Sequence, residues 1–173
     1  MSGIIVESAV TSPQIILSDK LLGAFGNDFA LRMDVLKHAY VRSDFGLSME
    51  AQEVNDVRRG SNGAIFWRYF PVHFLVEWRE AILFLEVLDF LCFFPAYVSV
   101  VVRQDCPKEV ADEIIDMIVV RMIDQSGRTA ISEWESWGCR KKAVTRRFFK
   151  FVAFSRGGDC MHLGRVKKWL LDE

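Results

Sequence analysis

The segment RRFFKFVAF, residues 146–154, decides how the C-terminal part of this chain folds. It packs four phenylalanines and three basic side chains into nine positions. Successive side chains of a strand point to opposite faces, so a strand would place Phe149 and Phe151 on one face and Phe148 and Phe154 on the other. One face could then pack on helices while the other stays open to solvent.

A helix is the open alternative for the same segment. It would bring Phe148, Phe151 and Val152 together on one side. Basic residues would then recur every four positions on the opposite side, at Lys142, Arg146 and Lys150. We nevertheless predict the strand, because phenylalanine and valine are enriched in strands.

The neighbouring segments complete the predicted C-terminal half. Residues 97–102 are mostly β-branched and predict another strand. Residues 106–127 predict an amphipathic helix with acidic residues in its first turns. Residues 132–138 are ambiguous between strand and helix, and Asp159 is placed to cap a last helix. The order is therefore βαββα-like, which suits helices packed on one face of an antiparallel sheet.

The chain of 173 residues is predicted to be a single domain with three parts. Residues 1–70 are mostly helical. Residues 71–137 hold a hydrophobic core helix that begins at Pro71 and ends at Pro95, followed by the strand and the acidic amphipathic helix. Residues 138–173 are the basic, aromatic C-terminal part. The predicted fold class is α+β, with a helical N-terminal part packed against a small antiparallel sheet in the C-terminal half.

Charge is distributed unevenly along the chain, although the net charge is only −1. Residues 1–137 contain 12 basic and 20 acidic side chains, whereas residues 138–173 contain 10 basic and 3 acidic ones. Such asymmetry between segments indicates a charged partner. The alternative is that the two parts neutralise each other in the fold.

Composition and cysteine usage limit the class of protein. Hydrophobic residues make up 51% of the chain, which is enough for a core and argues against disorder. The longest uncharged run, residues 90–102, is interrupted by Pro95 and is too short to span a membrane. The N-terminal residues lack the pattern of a signal peptide, and the four cysteines form no CxxC pair. We therefore expect a cytoplasmic protein with free thiols and no membrane contact.

Residues 147–154, RFFKFVAF, resemble the RNP1 element of RNA-recognition motifs, [KR]-G-[FY]-[GA]-F-V-x-[FY]. The positions that match are Arg147, Phe149, Phe151, Val152 and Phe154. Phe148 and Lys150 stand where that family has small residues. The resemblance implies a central strand on which Phe149 and Phe151 stack on bases while Arg147 contacts phosphate. Tyr97 would be the companion aromatic on the first strand.

Basic residues interleaved with aromatic ones also favour RNA binding without reference to any family. Residues 141–156 contain six basic side chains and no acid. The predicted nucleic-acid-binding residues are Lys141, Lys142, Arg146, Arg147, Phe149, Lys150, Phe151 and Arg156. In the alternative interpretation, the phenylalanines form the core and the basic residues are a solvated rim.

The chain shows no familiar signature of catalysis. Cys160 and His162 are close in sequence, with Cys139 upstream, but their spacing fits no zinc template. We therefore predict no metal and no cofactor. An active site without a motif stays open, although binding is favoured over chemistry.

The predicted function is that of a non-enzymatic binding protein. Its basic, aromatic C-terminal third would contact a polyanion, either RNA or a ribonucleoprotein. The alternative is a protein-binding inhibitor or immunity-type protein that acts by protein–protein contact. Either function is compatible with a homo-oligomer.

Overall fold

The computed structural model describes residues 13–26, 29–42, 64–123 and 137–155, and most of these are helical. The α-helices within them are α1 Pro13–Phe25, α2 Met33–Arg42, α3 Val72–Glu77, α4 Val87–Val101, α5 Lys108–Ile123 and α6 Cys139–Ser155. Two 3₁₀-helices, η1 Trp67–Tyr69 and η2 Arg79–Leu83, lie on either side of α3. The strands within the same residues are β1 Ala30–Leu31 and β2 Ile65–Phe66.

The two short strands pair with each other in an antiparallel sheet, with Ala30 opposite Phe66. The Trp67 side chain reinforces this region, because its Nε1–H donates to the backbone carbonyl of Gly26 at 2.9 Å. The sheet lies in the N-terminal half of the chain. The predicted sheet in the C-terminal half, and with it the α+β class, is therefore wrong, because the described part of the chain is mostly helical.

Helix α4 is the centre of the fold and packs against α1, α3, α5 and η1. It takes up most of the uncharged run at residues 90–102, and ten of its fifteen residues are buried. The predicted strand at residues 97–102 is therefore wrong. Its valines favour a strand only weakly, and a helix that is covered on most sides buries them equally well.

The core helix predicted to run from Pro71 to Pro95 is instead divided, because η2 separates α3 from α4. Pro95 lies inside α4 and does not end it. A proline within a helix removes one hydrogen bond and costs about 3 kcal/mol. Its neighbour Phe94 is completely buried, and burial of such a side chain contributes about 1.5–3 kcal/mol. Packing around α4 therefore offsets the cost of the proline.

Residues 146–154 belong to α6, so the predicted strand is wrong there too. The buried side chains Val144, Phe148 and Val152 are four residues apart, which places them on one side of a helix. This side packs on α1, and Phe148 also reaches Phe94 of α4. A helix satisfies its own backbone hydrogen bonds, whereas a strand would need a partner, and the two described strands pair only with each other.

The helix predicted at residues 106–127 is confirmed as α5, Lys108–Ile123. Its buried side consists of Ile114, Ile115, Ile118, Val119 and Met122. This side packs against α4 and η2, and Glu113 forms an ion pair with Arg79 of η2. Buried residues of all the α-helices named above join one hydrophobic cluster, which fixes α6 against the rest of the described fold.

Part of the sequence interpretation concerns residues that the structure does not describe. Most of the ambiguous segment at residues 132–138 and the last predicted helix lie outside the described residues. The division of a single domain into three parts stays a prediction. Among the described helices, none is both long enough and apolar enough to cross a membrane.

Candidate nucleic-acid interface

Helix α6 buries one side against the core and exposes three of its six basic residues on the other side. The apolar side, which includes Val144, Phe148, Phe149 and Val152, is buried. The exposed positions recur every three or four residues, at Arg140, Ala143, Arg147, Lys150 and Phe154. Because the helix contains six basic and no acidic residues, its solvent side is positively charged.

The other three basic residues of α6, Lys141, Lys142 and Arg146, are half-buried. The Lys141 Nζ lies 4.8 Å from the ring centroid of Phe29 and 5.8 Å from that of Phe25. A cation at this distance is attracted to the electron-rich face of an aromatic ring. Lys141 therefore helps to hold α6 in place, because its positive charge interacts with these two rings within the fold.

The four phenylalanines of the RRFFKFVAF segment differ widely in exposure. Phe148 and Phe149 are fully buried, and their ring centroids are 5.1 Å apart. Phe151 is half-buried, and Phe154 is 89% exposed. Phe149, one of the two residues expected to stack on bases, thus lies in the core, where a base cannot reach it. The sequence prediction omitted Phe154, although its helical spacing from Lys150 is a signal that identifies it.

A groove of about 340 Å³ lies between α1 and α6. Its apolar lining consists of Ile16, Leu17, Phe151 and Phe154, and its charged lining of Lys20, Arg147 and Lys150. No carboxylate of the described residues forms an ion pair with these three cations. We call Arg140, Arg147 and Lys150 of α6, together with Lys20 of α1, the basic face.

Acidic side chains gather elsewhere, around a cavity of about 300 Å³ between α2 and the start of α4. Burial raises the pKa of Asp89, and the nearby negative charge of Glu86 raises it further. The hydrogen bond from Arg32 lowers the pKa of Asp34, and Arg42 pairs with Glu86 at 3.1 Å. These ion pairs leave no surplus of positive charge. Of these two cavities, the groove beside α6 is therefore the one that suits a polyanion.

The structure brings only some of the predicted site residues together. Arg147, Lys150 and Phe151 share the groove. Arg156 lies outside the described part of the chain, as do Cys160 and His162. Cys139 is exposed at the start of α6. Within the described ranges, no three His, Cys, Asp or Glu side chains are placed so that they could hold a metal ion.

The resemblance to RNA-recognition motifs does not extend to the fold. In that family the aromatics that stack on bases lie on a sheet, whereas residues 147–154 are helical and Tyr97 is a fully buried residue of α4. Comparisons of the chain with family models, with curated proteins and with solved structures found no match. The candidate interface is therefore defined by its charge, exposure and geometry alone.

Proposed function

We propose that this protein binds RNA through the basic face, with the exposed side of α6 at the centre of the interface. The row Arg140, Arg147 and Lys150 supports the proposal, because these cations are exposed on one side of a helix that contains no acid. Lys20 adds a further cation from α1 across the groove. Closely spaced phosphates are a fitting partner for such a row, because neutralising them releases bound counterions.

The length of the row suits more than one phosphate. An α-helix rises about 1.5 Å per residue, so Arg140 and Lys150 are about 15 Å apart along the helix axis. Arginine can contact a phosphate through two N–H groups, whereas lysine acts as a point charge. Contacts of this kind position the nucleic acid without reading its bases. The proposed binding therefore has little sequence preference.

Salt dependence tests this proposal. For a single strand, log K falls against log salt with a slope of about −0.7 per neutralised phosphate. The four cations of the basic face therefore predict a slope between about −2 and −3 for a labelled oligouridylate. Arg147→Ala/Lys150→Ala removes two contacts and should make the slope shallower by about 1.4. Alanine is the best helix former, so α6 should stay folded.

A protein-binding function of inhibitor or immunity type predicts a different outcome. In that case the oligouridylate does not bind, or its salt slope is the same for wild type and for Arg147→Ala/Lys150→Ala. Either result would contradict RNA binding by the basic face. The affinity for a protein partner would instead depend on a few buried aromatic or arginine anchors.

A further inference from the structure

We infer that the groove between α1 and α6 holds one unpaired nucleotide, with its base stacked on Phe154. This inference rests on the proposed function, because it assigns a ligand to the same side of α6. It specifies single-stranded RNA as the partner and gives Phe154 a role that charge alone does not provide.

The exposure of Phe154 is the first observation. Its side chain is 89% exposed, more than any other large hydrophobic side chain of the described residues. Isolated apolar residues on a surface are common, but this one lies at the edge of a groove. An exposed phenyl ring offers a face on which any base can stack. Phe154 is therefore suited to a ligand that carries flat aromatic groups.

The cations beside Phe154 are the second observation. Lys150 and Arg147 precede Phe154 by about one and two helical turns on the same side of α6. Lys20 lines the groove from α1. A nucleotide combines an aromatic base with an anionic phosphate, and the groove offers an apolar surface and cations within one small space. This complementarity favours a nucleotide over an uncharged aromatic ligand.

The size of the groove favours a single unpaired nucleotide. Ligand pockets in proteins have volumes of about 300–1,000 Å³, and this groove, at about 340 Å³, is at the small end of that range. The bases of a duplex are stacked and paired with each other, whereas unpaired bases can turn outward onto an aromatic side chain. We therefore expect single-stranded RNA to bind more tightly than a duplex.

The test compares three labelled probes with the same number of phosphates on the full chain. They are an oligouridylate, the same oligonucleotide with abasic sugars, and an RNA hairpin duplex. Phe154→Ala removes the ring, and Phe154→Leu keeps apolar bulk without a π-face. Tyr69→Ala is the matched control, because Tyr69 is an exposed aromatic residue of η1 that does not line the groove.

Phe154→Ala should weaken oligouridylate binding by roughly 5- to 150-fold, the loss expected for one stacked base. It should leave binding of the abasic probe and the salt slope unchanged, because the phosphate contacts remain. Phe154→Leu should lose affinity in the same direction, and Tyr69→Ala should bind as wild type does. Wild type should prefer the oligouridylate to both the abasic probe and the duplex.

Three results would overturn the inference. If Phe154→Ala binds the oligouridylate as tightly as wild type, base stacking is wrong, whereas the RNA-binding proposal stands as long as the salt slope depends on Arg147 and Lys150. If none of the probes binds wild type in a salt-dependent manner, both proposals fail. If an acidic, leucine-rich peptide binds more tightly than the oligouridylate, and Phe154→Ala abolishes that binding, the groove belongs to a protein partner.

Discussion

The ring of Phe148 in α6 meets the ring of Phe94 in α4 edge to face, with centroids 6.1 Å apart and an angle of 89° between the planes. Phe94 in turn contacts Phe25 of α1, at 6.2 Å between centroids. These contacts fix one side of α6 in the core shared by three helices. The opposite side of α6, which carries Arg140, Arg147 and Lys150, faces solvent as a consequence.

Phe148→Ala should destabilise the fold far more than Phe154→Ala. Truncation of a buried phenylalanine costs about 3–5 kcal/mol, because it removes apolar contacts and leaves a cavity. Phe154 lies at the surface, where a substitution changes stability by about 0.5 kcal/mol or less. Urea unfolding followed by circular dichroism measures both free energies. Similar losses for the two variants would contradict the placement of residues 146–154 in α6.

Tyr97→Phe should raise the free energy of unfolding or leave it unchanged. Tyr97 is fully buried, and its hydroxyl has no hydrogen-bond partner among the described residues. Burial also raises the pKa of this phenol, so that the hydroxyl stays protonated. A buried polar group without a partner costs about 1–3 kcal/mol, and removing it relieves that cost.

Tyr69→Phe is the matched control for Tyr97→Phe, because Tyr69 is 65% exposed and its hydroxyl can reach solvent. Thermal or urea unfolding of this control should match that of wild type. A loss of more than about 1 kcal/mol for Tyr97→Phe would show that the buried hydroxyl makes a hydrogen bond that stabilises the fold.

Cys92 and Cys139 should react with a thiol reagent at different rates. Cys92 is half-buried in α4. This burial raises the pKa of its thiol, and the negative charge of Asp89 raises it further. Only the thiolate is nucleophilic, so the raised pKa leaves less of the reactive form at neutral pH. The rate at Cys92 should therefore increase as the pH rises towards that pKa. Cys139 is exposed and sterically open to the reagent.

Variants that keep either Cys92 or Cys139, with alanine at the other three cysteine positions, allow the comparison. A chromogenic disulfide reagent at neutral pH should label the Cys139 variant several-fold faster than the Cys92 variant. Equal labelling rates for the two variants, both folded, would contradict the partial burial of Cys92 in α4.

Local sequence patterns identified α5, but they predicted a helix for only the first part of α4 and favoured a strand for residues 146–154 of α6. In α5, acidic residues at the start and isoleucines on one side repeat with the period of a helix. Helix α4 has no clear period, because its uncharged run at residues 90–102 is covered on most sides. Its valines then favour a strand. A strand is excluded only because no partner strand among the described residues lies beside this segment, and that is a property of the tertiary fold.

The candidate site was also predicted only in part, because the predicted strand and the observed helix expose different side chains. Arg147 and Lys150 are exposed as expected, because charged side chains avoid the core in either structure. The assumed strand turned Phe149 towards the ligand, whereas the helix turns it into the core and exposes Phe154. The contribution of Lys20 could not be predicted, because α1 is distant from α6 in sequence and meets it only in the folded chain.

The most direct test of the basic face is RNA binding by a charge-reversal variant of α6. A control variant with the same change in net charge is measured beside it. Arg147→Glu/Lys150→Glu reverses two of its cations, and Arg68→Glu/Lys108→Glu reverses two exposed cations elsewhere. A labelled oligouridylate is titrated against each variant at low and moderate salt, once circular dichroism has shown that both fold. Binding through the basic face predicts that the α6 variant loses affinity and salt dependence, while the control binds nearly as wild type does. Equal losses in both variants, or full binding by the α6 variant, would contradict it.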